Sequence, residues 1–148
     1  MFQLPFPIHD VNASSGSKDL GDLPEWDLSD LYSSQDAPEL SRDLQWLDQE
    51  CASFAADYEG KLANLDAAEM LACVLRNERI NTIAGRIMSF AGLRYYQLTI
   101  DGDRTKFMSD MQEKITNFTT PLVFFTLELN RIDDATLQAL LDANSALA

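Results

Sequence analysis

An antiparallel bundle of about four helices, all-α, is the fold this sequence predicts. Three observations point to it. Apolar residues recur at spacings of three and four from Leu40 to Leu141, no segment alternates apolar and polar residues as a half-buried strand does, and caps and breakers divide the pattern into helix-length pieces. At 148 residues the chain has the size of one domain, able to bury roughly 68–70% of the surface its unfolded form exposes. With 46% hydrophobic and 24% charged residues, disordered, collagen-like and membrane classes are disfavoured.

Residues 1–22 hold Pro5, Pro7 and the polar run Asn12 to Ser17. They carry too little apolar surface to offset the entropy of ordering and are expected to form a flexible tail. Residues 23–37 place acids between Trp26, Leu28, Leu31 and Tyr32, the pattern of an extended lead-in docked on the bundle. The helical domain is expected over 38–148. Pro38 suits a first helical turn, with Asp36 the candidate cap before it. Leu40, Leu44, Leu47, Cys51, Phe54 and Tyr58 then follow at 4, 3, 4, 3, 4, one face of a helix that Gly60 ends.

Asp66 and Glu69 form a capping box for a long second helix, which meets no proline before about Leu98. Ile80, Ala84, Ile87, Ala91, Tyr95 and Leu98 line one of its faces. Leu71, Val74 and Leu93 fall elsewhere on its circumference, so this helix is expected to be central. Asp101-Gly102-Asp103 breaks the pattern and can cap a third segment. There Met108, Met111, Ile115, Phe118, Leu122, Phe125, Leu129 and Ile132 keep their phase through Pro121. A proline inside a helix costs about 3 kcal/mol, so a kink or short break is expected at Thr119-Thr120-Pro121. Asp133 or Asp134 then caps a last helix through Leu137, Leu140 and Leu141.

Acids outnumber bases 24 to 11, for a net charge of −13. A field of that sign repels nucleic acid and anionic lipid, and neither is expected as a partner. No apolar run approaches the roughly 20 residues of a membrane span. The opening MFQLPFPIHD lacks the basic start and long apolar stretch of a secretory leader, so a cytoplasmic location is expected. Cys51 and Cys73 sit at helix-patterned positions and read as reduced core thiols.

The single histidine, His9, stands in the expected tail. Glu-x-x-His pairs and His-Glu-x-x-His are therefore excluded within this chain, and a Ser-His-Asp or Cys-His site would have to recruit a tail residue. The six glycines are scattered, with none in a phosphate-cradling turn. No catalytic residue, metal ligand or cofactor is expected in this chain itself.

Charge is nonetheless uneven. Residues 1–62 carry 13 acids and 3 bases, whereas residues 63–100 carry 3 acids and 4 arginines. At about 100° per residue, Arg76, Arg79, Arg86 and Arg94 fall within an arc of roughly 80°. On helix one, Glu39, Asp43, Glu50 and Asp57 share a similar arc beside the apolar seam. One reading pairs the two rows across the helix–helix seam; the other has some arginines face a cavity and hold a carboxylate. Gly85, Ser89 and Gly92 form a small-residue groove on the second helix. It suits either a closely packed neighbouring helix or an exposed binding groove. Of Tyr95 and Tyr96, one ring is expected to be buried and one wet.

Four stretches taken together carry a resemblance: LPEWDLSDLY (23–32), the helix-one block, GLRYYQLTIDGD (92–103) and TTPLVFFTLELNRIDD (119–134). They resemble the N-terminal helical region of the oligoendopeptidase F family, thimet-like zinc peptidases that cut short peptides. The similarity spans about residues 20–145. It implies a lobe that walls a deep substrate cleft, with zinc and the His-Glu-x-x-His helix supplied by a C-terminal catalytic domain of the same protein. By position, Arg94, Tyr95 and Tyr96 are the residues expected to border that cleft. The partners implied are the catalytic domain and an oligopeptide substrate. A homodimer through exposed interdomain surface is a further expectation, and the alternative is a free-standing helical interaction module.

Overall fold

The computed structural model describes residues 26–147. The tail expected over 1–22 and the first residues of the lead-in lie outside the described residues. Among those described there are five α-helices and no strand: α1 (Pro38–Tyr58), α2 (Ala67–Gln97), α3 (Gly102–Thr119), α4 (Val123–Leu129) and α5 (Asp134–Ala143). Because α3 and α4 are the halves of one broken rod, the bundle has the four rods that the sequence predicts.

Residues 26–37 dock on the bundle as expected, but they are turned where an extended path was predicted. The Asp27 carboxylate accepts from the Ser29 N–H at 2.9 Å, and the Leu31 and Tyr32 N–H groups both reach the Leu28 carbonyl. These local bonds satisfy backbone groups that an extended strand would leave without a ladder partner. Tyr32 is buried, its ring edge-on to Phe90 at a centroid distance of 5.3 Å.

Pro38 takes the first turn of α1, yet Asp36 is not its cap. Ala37 holds that position without a side-chain bond, and the Asp36 N–H turns back to Ser34 Oγ. Asp36 lies one residue too early, and the residue at the cap is buried in the core. After α1 the chain reverses through Gly60, whose φ of +78° lies in the left-handed region that a Cβ disfavours. Glu128 of α4 braces this reversal: its carboxylate accepts from the Gly60 N–H at 2.6 Å and from the Leu62 N–H at 3.3 Å.

The Asp66–Glu69 capping box forms in full at the start of α2. Such a cap contributes typically about 1 kcal/mol. α2 is central, packing against α1, α3 and α5. Its stripe Ile80, Ala84, Ile87 and Ala91 is buried, but the stripe frays at the helix end, where Tyr95 is half-buried and Leu98 exposed. Directions follow from the pairs: residues 50 and 57 of α1 meet Arg76, while residue 43 meets Arg86, so α1 and α2 run antiparallel.

Pro121 breaks the third rod where expected, through a 3-10 turn at Thr120–Leu122. The Thr119 and Thr120 hydroxyls donate to the Ile115 and Thr116 carbonyls in the last turn of α3. Met111, Ile115, Leu122 and Ile132 stay on the buried side, so the stripe keeps its phase across the break. Phe54 of α1 is fully buried among Tyr58, Phe124 and Phe125, with centroids 4.9 to 6.0 Å away. Asp133, of the two candidates, caps α5 through the Thr136 N–H. No helix among the described residues is long and apolar enough to cross a membrane.

Candidate functional site

The arginine row on α2 meets the acidic row on α1 at two of its four positions. Arg76 is gripped on both sides, Nε to Glu50 Oε1 at 2.6 Å and Nη1 to Asp57 Oδ2 at 2.8 Å, while its plane lies over Phe54 and Tyr58. The Arg76 hydrogen bond holds the Asp57 carboxyl below the usual carboxylate range, with a smaller contribution from Ser53. Arg86 stacks on Tyr32 at 4.3 Å, donates to the Leu31 carbonyl and stands 3.6 Å from Asp43. The Tyr32 hydroxyl donates to the same Asp43 at 2.6 Å; burial first and that bond second push its pKa up. Arg79 has an aromatic partner, the Trp46 ring at 4.9 Å. These three arginines are structural: they fix α1 and the lead-in to α2.

Arg94 differs. Its guanidinium lies 5.7 Å from the Phe90 ring centroid, and its Nε is buried with no hydrogen-bond partner. Helix length explains why. Arg94 stands eight residues, about 12 Å, beyond Arg86 along α2, whereas α1 begins only about 7.5 Å before Asp43 at ~1.5 Å per residue. α1 runs out before it can present an acid there, and Glu39 pairs with Arg42 on its own helix instead. A buried donor left unpaired costs about 1–3 kcal/mol, more for a charged group.

The surroundings of Arg94 are held firmly. Arg104 of α3 donates from Nη1 to the Arg94 carbonyl and to Gln97 Oε1, each at 3.2 Å, and Gln97 Nε2 donates to the Trp26 carbonyl at 3.0 Å. Asp101 caps α3 and lies 3.7 Å from Arg104 Nε. At this end of the bundle Trp26, Tyr96, Leu98 and Ile100 are exposed, Ile100 at 90% and Tyr96 at 67%. The sequence reading missed Arg104, Gln97 and Ile100. Ile100 carried a signal, since it is a β-branched apolar residue in the gap between two helical patterns.

Tyr95 is half-buried and Tyr96 exposed, as expected, with rings 5.3 Å apart. Arg94 points to a different side of α2 from Tyr96, at about 200° of helix rotation, so the three candidates do not converge on one spot. The Gly85–Ser89–Gly92 groove is not filled by a neighbouring backbone. A Cβ on Gly85 would meet nothing within 4 Å, and one on Gly92 would meet only the Tyr96 ring at 3.8 Å. The close approach of a second helix is therefore corrected to an open strip, because α1, α3 and α5 cover other sides of α2.

Chemistry elsewhere is sparse. Burial pushes the free Cys51 and Cys73 thiols up to about 11. A shallow hollow of about 320 Å³ on α3 is lined by Ser109, Gln112, Glu113, Thr116 and Asn117, all from that one helix. No three His, Cys, Asp or Glu side chains among the described residues gather to hold a metal ion, so these residues do not fit the zinc that the resemblance implies. Comparisons with protein-family models, curated proteins and solved structures found no match.

Proposed function

We propose that this chain is a non-catalytic helical lobe of a zinc oligoendopeptidase, one that walls the cleft admitting short peptides while a separate zinc-bearing domain performs the hydrolysis. The observation that supports this reading most is the exposed apolar group Trp26, Tyr96, Leu98 and Ile100. It falls within LPEWDLSDLY and GLRYYQLTIDGD, two of the stretches that carry the resemblance. A contiguous exposed apolar surface of this kind marks a place where a partner or ligand sits. The lobe's own contribution is steric: rigid helices bound an opening too narrow for a folded protein.

The test is reconstitution. Incubated with zinc and a quenched short peptide, this chain alone should give no turnover; co-expressed with the zinc-bearing domain from its own source, it should co-purify and support cleavage. Turnover by the chain alone that a core-neutral substitution abolishes, or failure to associate, would overturn the reading.

A free-standing interaction module is the second reading. The open strip at Gly85 and Ser89, with Leu75 exposed on the same helix, favours it. Such a module would be monomeric and indifferent to a catalytic domain, whereas a lobe would dimerise through its bare interdomain surface or be stabilised by that domain.

A further inference from the structure

Resting on the peptide-handling reading above, we infer that Arg94 is the receptor for the C-terminal carboxylate of a short apolar peptide. Of the four arginines on the α2 row, Arg94 has neither an acid nor a carbonyl as acceptor among the described residues, while Arg76 and Arg86 have both kinds or two of one, and Arg79 lies on Trp46. Its Nε–H is desolvated, so a ligand that accepts from it loses no hydrogen bond to water there, and a carboxylate matches the planar guanidinium fork. The platform is set in advance, with Arg104 fastening the Arg94 carbonyl and Gln97 tied both to Arg104 and to the Trp26 carbonyl.

Two features select the kind of peptide. Exposed Trp26 and Leu98 border this helix end, and their surfaces favour apolar side chains next to the carboxylate. The net charge of −13 disfavours any peptide bearing several acids, leaving one whose only anion is its terminus. The Arg94 guanidinium takes the carboxylate oxygens and the apolar rim takes the last side chains.

The experiment uses the whole 148-residue chain, ¹⁵N-labelled, with the Arg94 Nε–H resonance identified by its loss in Arg94→Lys. Three probes are titrated: acetyl-Ala-Leu-Phe with a free terminus, the same peptide as its carboxamide, and acetyl-Ala-Asp-Phe carboxamide. The free acid should displace the Arg94 resonance saturably and bind at least tenfold more tightly than its carboxamide. Arg94→Gln should remove that preference, and Arg79→Gln should keep it. Equal binding of acid and amide by the unmodified protein overturns the assignment without reliance on any variant. A shift by the Asp peptide equal to that by the free acid overturns the choice of the terminus. An Arg94 Nε–H that exchanges slowly without peptide and ignores all three probes shows that a carboxylate of the chain itself occupies it, which also overturns it. Association with a catalytic domain is read separately, so either result stands without the other.

Discussion

Replacing Arg76 with Met keeps an unbranched side chain over Phe54 and Tyr58 while removing the charge that binds Glu50 and Asp57. Exposed ion pairs contribute about 0–1 kcal/mol each, and the Arg76–Glu50 pair lies above that range because its side chains are only 31% and 20% exposed. Stacking on two rings adds about 0.5–1 kcal/mol. The sum is a loss of roughly 2 kcal/mol, equivalent to a fall in Tm of about 4–8 °C for a chain of this size. Urea unfolding followed by helical circular dichroism measures it, and a cycle with Glu50→Gln should return a coupling of about 1 kcal/mol. The pH dependence sharpens the case. Asp57 has a folded pKa held below its unfolded value by Arg76, so its stabilisation is present above the unfolded pKa of about 3.9 and disappears as pH falls through the lower folded value. The gap between wild type and Arg76→Met must therefore be widest near neutrality and shrink in acid. A variant within 0.5 kcal/mol of wild type, a figure near the ordinary scatter of surface substitutions, or a gap that widens in acid, would refute the reasoning.

Gly85→Ala should stabilise the protein by up to about 1 kcal/mol, since the position is exposed, mid-helix and clear of neighbours; destabilisation in the same urea assay would mean that something packs on the strip. Glu128→Ala should cost about 1–3 kcal/mol by stripping the acceptor from the Gly60 and Leu62 N–H groups, and faster amide exchange at those two residues locates the effect. Cys51 and Cys73 should resist a thiol reagent at neutral pH, because burial and thiol pKa values of about 11 leave little thiolate, and should react at once in denaturant; rapid labelling of the folded protein would contradict their burial.

Locally determined features were readable in advance. The Asp66–Glu69 box needs only four consecutive residues, and the break at Pro121 follows from one missing N–H. The pairing of Arg76 was also legible, because the helix period alone places Glu50 and Asp57 on the matching arc of α1. What escaped depends on where helices end in space. Periodicity gave Arg94 the same standing as Arg86, yet only the shortness of α1 at its N-terminal end separates a paired arginine from an unpaired one. The fate of the Gly85 strip likewise depended on which sides of α2 its three neighbours cover, a fact that no spacing encodes. Asp36 failed as a cap by a single residue, the scale on which burial of Ala37 overrides local preference.

The brace that Glu128 places on the α1–α2 reversal joins positions 66 and 68 residues apart in sequence. During synthesis the first two helices emerge long before their clamp, so the hairpin they form must remain hydrated at Gly60 and Leu62 until the second half of the polypeptide arrives. Closure of the early hairpin thus becomes a late step, coupled to the docking of α4. That order raises the entropic barrier to folding and makes α4 the element whose arrival locks the topology.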